Sequence, residues 1–212
     1  MAPGRFISLE GGEGAGKSTL AAALAGALEA DGKTVLLTRE PGGTPSAEQV
    51  RELLLNPPNG DAWTPMAEVL LFYAARVDHL ERLIRPRLAV GDWVICDRFS
   101  DSTMAYQTAS DPKIGPFITA LEKLCVPPTR PELTIVLDVS PEVSRDRMAA
   151  RGRAADAIEL RGPEFHARVR EAFLEIARNE PERCIVLDAA GSPEALLKQS
   201  LGAIAERLSE AA

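Results

Sequence analysis

Residues 11–18 read Gly11-Gly12-Glu13-Gly14-Ala15-Gly16-Lys17-Ser18, the pattern G-x-x-x-x-G-K-[ST]. Before it lies Phe6-Ile7-Ser8-Leu9, a short apolar run with strand character, and after it an Ala/Leu-rich stretch from Leu20 to Leu28 reads as a helix. A strand, a glycine turn and a helix N-terminus in that order make a phosphate cradle. The glycines let successive backbone N–H groups converge on one point, and the helix dipole adds partial positive charge there. Lys17 then supplies a full charge to the β- and γ-phosphates, and the Ser18 hydroxyl can ligate Mg²⁺. A glycine-rich turn that carries Lys-Ser by chance is the plain alternative, and the flanking strand and helix argue against it.

Four further apolar runs follow, at Thr34–Thr38, Trp93–Cys96, Leu133–Val139 and Cys184–Leu187. They alternate with helical patterns near 17–30, 46–55, 65–90, 101–124, 141–151, 164–179 and 193–209. Continuous buried runs alternating with helices predict a five-stranded parallel sheet with helices on both faces, in one α/β domain over 1–212. Ligands of open α/β sheets bind beyond the carboxyl ends of the strands. The loops there are charged: Arg39-Glu40-Pro41-Gly42-Gly43-Thr44, Asp97-Arg98-Phe99-Ser100, Asp138, and Asp188-Ala189-Ala190-Gly191.

A net charge of −7 argues against a nucleic-acid partner, which needs a basic face. No apolar run approaches about 18 residues and no export signal precedes the first strand, so neither a membrane span nor secretion is expected. Three cysteines, Cys96, Cys125 and Cys184, form no C-x-x-C pair; Cys96 and Cys184 lie in or beside apolar runs, so buried reduced thiols in a cytoplasmic protein are the expectation. His79 and His166 have no metal-ligand partner at suitable spacing and read as surface residues.

Asp97, directly after a buried strand, stands where a cradle of this kind holds Mg²⁺ through water, and Arg98 beside it can grip a second phosphate. A capping aspartate and a surface arginine are the alternative. Phe72 and Arg76 are four apart, hence on one helix face, where a ring and a guanidinium could stack on a nucleobase and donate to its carbonyl. Spacing alone leaves a core phenylalanine and a solvated arginine as the ordinary reading. The segment 149–163 has Gly152, Gly162 and little apolar content. With Arg147, Arg151, Arg153 and Arg161 in or near it, it reads either as an exposed loop or as a lid that closes on a transferring phosphoryl group.

Together, Gly11–Thr19, Thr38-Arg39-Glu40-Pro41-Gly42-Gly43-Thr44, Phe72-Tyr73-Ala74-Ala75-Arg76 and Asp97-Arg98-Phe99-Ser100-Asp101-Ser102-Thr103-Met104-Ala105-Tyr106-Gln107 resemble bacterial thymidylate kinase, in that family's order and over nearly the whole chain. The last block, D-R-[FYH]-x-x-S-[ST]-x-A-[YF]-Q, is the most specific. The resemblance implies a P-loop NTPase fold with a short lid and the reaction ATP + dTMP → ADP + dTDP with Mg²⁺ held at Ser18 and Asp97. It further implies that Gly11, Gly12, Glu13, Gly14, Ala15, Gly16, Lys17, Ser18 and Thr19 bind ATP. Phe72 would stack on thymine, Arg76 would donate to its O4, and Thr103 would meet the base edge. Ser102 and Gln107 would stand with them in the dTMP site. Tyr106 would press where a ribose 2′-hydroxyl would sit, Glu13 would contact the 3′-hydroxyl, and Arg98 and Arg39 would hold the acceptor phosphate.

Lys17 and Arg98 are thus the catalytic candidates, joined by Arg151 and Arg153. Relatives without an arginine in the cradle carry the catalytic one in the lid. The lid departs from the pattern at Asp156-Ala157-Ile158-Glu159, where many bacterial members read Asp-Arg-Ile-Glu. A homodimer is implied by the family alone. Rival readings are another nucleoside or nucleotide kinase of the same fold and a non-catalytic ATP-binding regulator; the regulator needs no second phosphate site, which Arg98 and Arg39 suggest.

Overall fold

A computed structural model describes residues 4–150, 158 and 160–208. Five strands, β1 (Phe6–Gly11), β2 (Val35–Arg39), β3 (Trp93–Asp97), β4 (Leu133–Asp138) and β5 (Cys184–Asp188), form one parallel sheet in the order β2-β3-β1-β4-β5. The chain crosses from β1 outward to β2, returns to β3, and then passes to the other side of β1. The strand order therefore switches direction at β1, and the crevice beyond its carboxyl end is where the fold offers a binding site. Each strand ends within a residue or two of the expected boundary. The terminal residues Arg39 and Asp97 reach that crevice.

Side chains alternate across the sheet. Ile7, Leu9, Ile95, Leu133, Ile135 and Leu137 face a core closed by α1 (Lys17–Ala30) and α9 (Pro193–Leu208), with Leu20, Leu24, Leu28 and Ile204. Phe6, Val94, Cys96 and Val136 face the opposite side, which is covered by α3 (Pro65–His79), α5 (Ser100–Ser110), α6 (Gly115–Cys125) and α8 (Pro163–Asn179). This alternation sends Ser8 and Glu10 toward α5 instead of α1, and Glu10 is wholly buried there.

Two helical expectations are revised. The single helix expected over 101–124 is broken after Ser110. Asp111 is extended (φ −142°, ψ 104°) ahead of Pro112, as the residue before a proline prefers, and its side chain accepts from the Lys113 N–H. The helix expected over 65–90 widens into a π-helical turn at Leu80–Ile84 before α4 (Arg85–Ala89), whose Pro86 cannot donate a helical hydrogen bond. On the site side, α2 (Pro45–Leu55) starts at Thr44, whose hydroxyl accepts from the Ala47 N–H, and α7 (Pro141–Ala150) follows β4.

Candidate active site

Gly11 through Gly16 wrap the end of β1. Gly14 and Gly16 have φ of +70° and +92°, and a side chain on Gly14 would run into the Ser144 carbonyl. Only glycine at position 14 lets the loop pack this closely against α7. Lys17, the first residue of α1, folds back so that its Nζ donates to the Gly11 and Gly12 carbonyls at 3.0 and 2.7 Å. Burial, and then the nearby Arg98 charge, push its ammonium down to about 8. Ser18 and Asp97, from different strand–loop units, meet: the Ser18 hydroxyl donates to Oδ2 of Asp97 at 2.5 Å.

Arg98 has φ +71°, the left-handed region that a non-glycine residue occupies at a cost of about 1 kcal/mol or more. The position is held from several sides. Its N–H donates to the Leu9 carbonyl, and its carbonyl accepts from the Cys96 thiol. Its guanidinium donates to Glu13 (2.5 Å), Tyr106 Oη (2.9 Å), Ser102 Oγ (3.1 Å) and the Gly11 carbonyl (3.1 Å). The strained turn thus aims a buried cation across the cradle, and the sequence-predicted Glu13, Arg98, Ser102 and Tyr106 form one cluster.

The cluster's second layer was not expected. Glu10 accepts from the Phe99 N–H at 2.8 Å and from the Ser102 hydroxyl at 2.5 Å, fixing both ends of the turn around Arg98. Burial first, and the Asp101 charge second, push its carboxyl up to about 8. The sign follows from linkage: the folded state keeps the proton up to about pH 8, whereas the unfolded chain releases it near 4.5. Glu10 therefore subtracts stability progressively as pH rises through that window. Glu10→Gln is expected to be more stable than the parent at pH 8, by a few kcal/mol at most, and equal to it at pH 4.5, as measured by urea unfolding at both pH values. A parent-to-variant difference independent of pH would contradict this.

A cleft opens between the cradle, α3 and α5. Its walls include Glu13, Lys17, Ser18, Arg39, Phe72, Arg76, Asp97, Arg98, Ser102, Thr103, Tyr106 and Gln107, so the residues proposed for the acceptor share one cavity. Arg39 stands at its lip, half-exposed, with its Nη2 donating to both carboxylate oxygens of Glu48 at 2.9 and 3.0 Å. Arg76, by contrast, is 2% exposed. Its Nε donates to Glu40 at 2.8 Å and its Nη2 to Thr103 at 2.9 Å, while Nη1 has no hydrogen-bond partner among the described residues. Gln107, equally buried, turns its amide toward Glu68 and leaves Oε1 without such a partner. One buried donor and one buried acceptor are therefore left open in the wall of the same cleft, a costly arrangement unless something fills them.

A second cavity, of about 270 Å³, adjoins the cradle on its other side. Gly14–Gly16 and Thr19 meet Arg147, Ala189, Gly191 and Pro193 there. Arg147, which the sequence grouped with the lid arginines, sits on α7 and donates to the Ala189 carbonyl at 2.8 Å. Nothing in its local sequence signals that role. Asp138 is engaged by Arg170 and Asp188 caps the Ala190 N–H, and neither lines the main cleft. Arg161 is drawn outward to Ser110 and Glu68 and lies over the Phe165 ring. Arg151, Arg153, Asp156, Ala157 and Glu159 of the expected lid lie outside the described residues; Ile158 reaches the cleft wall.

One expectation is overturned. His79 is not at the surface but fully buried between Thr38 and Glu40, because the β2 loop folds across the end of α3. Cys96 and Cys184 are buried free thiols, and Cys125 is partly buried. No helix among the described residues is long and apolar enough to cross a membrane.

Known proteins similar to this chain share its fold and length. The family model for thymidylate kinase matches residues 9–200. The chain is 51% identical over 208 residues to the thymidylate kinase of Caulobacter vibrioides, covering 98% of this chain and 99% of that one. It is 48% identical over 205 residues to the thymidylate kinase of Alcanivorax borkumensis, covering 97% of each. The crystal structure of thymidylate kinase from Ehrlichia chaffeensis superposes with a TM-score of 0.77 at 31% identity, covering 96% of this chain and all of that one. With a cradle, a largely buried second cation facing it and a polar cleft between them, over a sequence match that spans nearly its whole length, the chain belongs to the thymidylate kinase family.

Proposed function

We propose that the protein, acting as one kinase domain, transfers the γ-phosphoryl group of ATP to dTMP, giving dTDP and ADP. The observation that carries the acceptor choice is the open pair in the cleft wall, the Arg76 Nη1 donor and the Gln107 Oε1 acceptor. A thymine edge offers a carbonyl, O4, beside an N–H, N3, which complements them. Cytosine presents the reverse, an amino group and a bare nitrogen. Phe72 supplies a ring at the same wall. Each mismatch leaves a buried polar group unpaired at about 2 kcal/mol, so kcat/KM for dTMP is expected to exceed that for dCMP by about 10³. A coupled assay of ADP formation across deoxynucleoside monophosphates tests this, and comparable values for dCMP and dTMP would refute the base-reading assignment.

In the reaction a phosphate oxygen of dTMP attacks the γ-phosphorus while the bond to the ADP oxygen breaks, and the protein's task is alignment and charge neutralisation. Lys17 is assigned to the β- and γ-phosphates and Arg98, with Arg39 at the lip, to the acceptor phosphate. Tyr106, bonded to both Glu13 and Arg98, is assigned to the sugar side. Its bulk would disfavour a 2′-hydroxyl. The cavity beside Arg147 suits the nucleoside end of ATP. Ser18 and Asp97 bring a hydroxyl and a carboxylate together, a set of hard oxygen donors that suits Mg²⁺ retaining several waters. Bound there, the ion would neutralise phosphate charge.

We assign the remaining transition-state cation to Arg153, with Arg151, in a lid over 149–163. The double change to alanine is expected to lower kcat about 10²-fold or more with little change in dTMP affinity, and near-normal turnover would remove the lid arginines from catalysis. A cytoplasmic homodimer completes the reading. Met66 and Leu70, four apart on α3, and Leu53 on the adjoining α2 are exposed apolar residues consistent with such a contact.

A further inference from the structure

His79 is the last residue of α3, and its ring sits under the turn that joins β2 to α2. Its Nε2 is 2.8 Å from Thr38 Oγ1 and its Nδ1 is 3.2 Å from Glu40 Oε1. A carboxylate only accepts, so Nδ1 carries the proton and donates to Glu40. In the neutral ring Nε2 is then the acceptor, and the Thr38 hydroxyl donates to it. The turn is shaped around the ring: Gly43 has φ +89°, and a side chain there would collide with the imidazole.

The other Glu40 oxygen accepts from Arg76 Nε at 2.8 Å. Both oxygens of this buried carboxylate are therefore occupied, one by His79 and one by Arg76, which removes its freedom to rotate. A guanidinium is a rigid plane, so fixing Nε through Glu40 and Nη2 through Thr103 fixes the direction of Nη1 as well. Nη1 is the atom left without a partner on a residue that lines the cleft.

We propose that His79 is a positioning residue for acceptor-base selectivity, locking Glu40 so that Arg76 presents Nη1 to the base at a fixed angle. The inference rests on the reading of Arg76 as the base-edge donor. His79 itself does not line the cleft and acts only through Glu40.

The test is steady-state kinetics of the purified full chain with dTMP and dCMP as acceptors. It uses His79→Leu, His79→Asn, Thr38→Val and Arg76→Met, with thermal unfolding of each. Leucine removes the donor to Glu40, whereas asparagine can place its amide N–H near the position of Nδ1. His79→Leu is expected to raise KM for dTMP about tenfold, to shrink the dTMP:dCMP ratio of kcat/KM by a similar factor, and to leave KM for ATP within about twofold. His79→Asn should recover most of that ratio. Thr38→Val, which strips only the far anchor of the ring, should lower it by a smaller factor and serves as the reading if His79→Leu does not fold. An unchanged dTMP:dCMP ratio in His79→Leu and Thr38→Val, with only the unfolding temperature lowered, would overturn the proposal, as would equal damage in the Asn and Leu variants. If Arg76→Met changes the ratio and the His79 variants do not, the positioning role alone fails. If Arg76→Met also leaves it unchanged, the base-reading assignment beneath it fails.

Discussion

Lys17→Ala is expected to lower kcat by a factor of about 10³ or more while the fold survives. Lys17 is buried at the cradle, and it already points its ammonium into the loop, bonded to the Gly11 and Gly12 carbonyls. A charge held in place before the phosphates arrive costs no reorganisation when negative charge moves during transfer. Stability should suffer little, because burial opposes the Lys17 charge and alanine abolishes that penalty along with the two hydrogen bonds. Single-turnover measurements beside circular dichroism check both halves, and near-normal turnover in a folded variant would refute the role. The parent enzyme should add a pH signature. Its free Lys17 loses the proton near pH 8, so kcat/KM for ATP should decline above that pH, tending toward tenfold per unit, whereas bound phosphates should hold the proton and keep kcat level to higher pH.

The second large effect is expected at Arg98. Arg98→Ala should reduce kcat/KM for dTMP by about 10²- to 10³-fold, since it removes a charge-assisted contact to the acceptor phosphate and also unlatches Glu13, Ser102 and Tyr106. It should also destabilise the protein, by about 3 kcal/mol, because an ion pair with both partners largely buried loses one member. Arg98→Gly isolates the backbone strain from these side-chain losses. Glycine accepts φ +71° without penalty, so it should be more stable than the alanine variant by about 1 kcal/mol while being equally inactive. Denaturant unfolding of the pair decides this, and an alanine variant as stable as the glycine one would show that the turn is not strained.

What could be read from the chain was local. The cradle announces itself because its glycines, lysine and serine are consecutive and their conformations are fixed by covalent geometry. The strands and helices show through periodicity, which is a property of neighbours. Asp97 and Arg98 stood out because they follow a strand directly, whereas helical spacing put Phe72 and Arg76 on one face without telling a base site from an ordinary core ring and surface arginine, and only the resemblance raised them.

Tertiary structure alone decided the rest. His79 looked solvated from its polar neighbours, yet it is buried by a loop 35 to 41 residues earlier in the chain. Glu10 lies just past the apolar run Phe6–Leu9 and carried no signal of its own, and only the pairing of β1 with β3 and the packing of α5 set it against Ser102 and Phe99. Arg147 sits at the second cavity because α7 crosses the cradle, and Arg39 meets Glu48 because the turn over 40–44 brings the first turn of α2 beside the end of β2. In each case a charged side chain's role depends on which distant group shares its low-dielectric surroundings. That is set by how the layers pack, a relation between residues far apart in sequence, and no local pattern carries it.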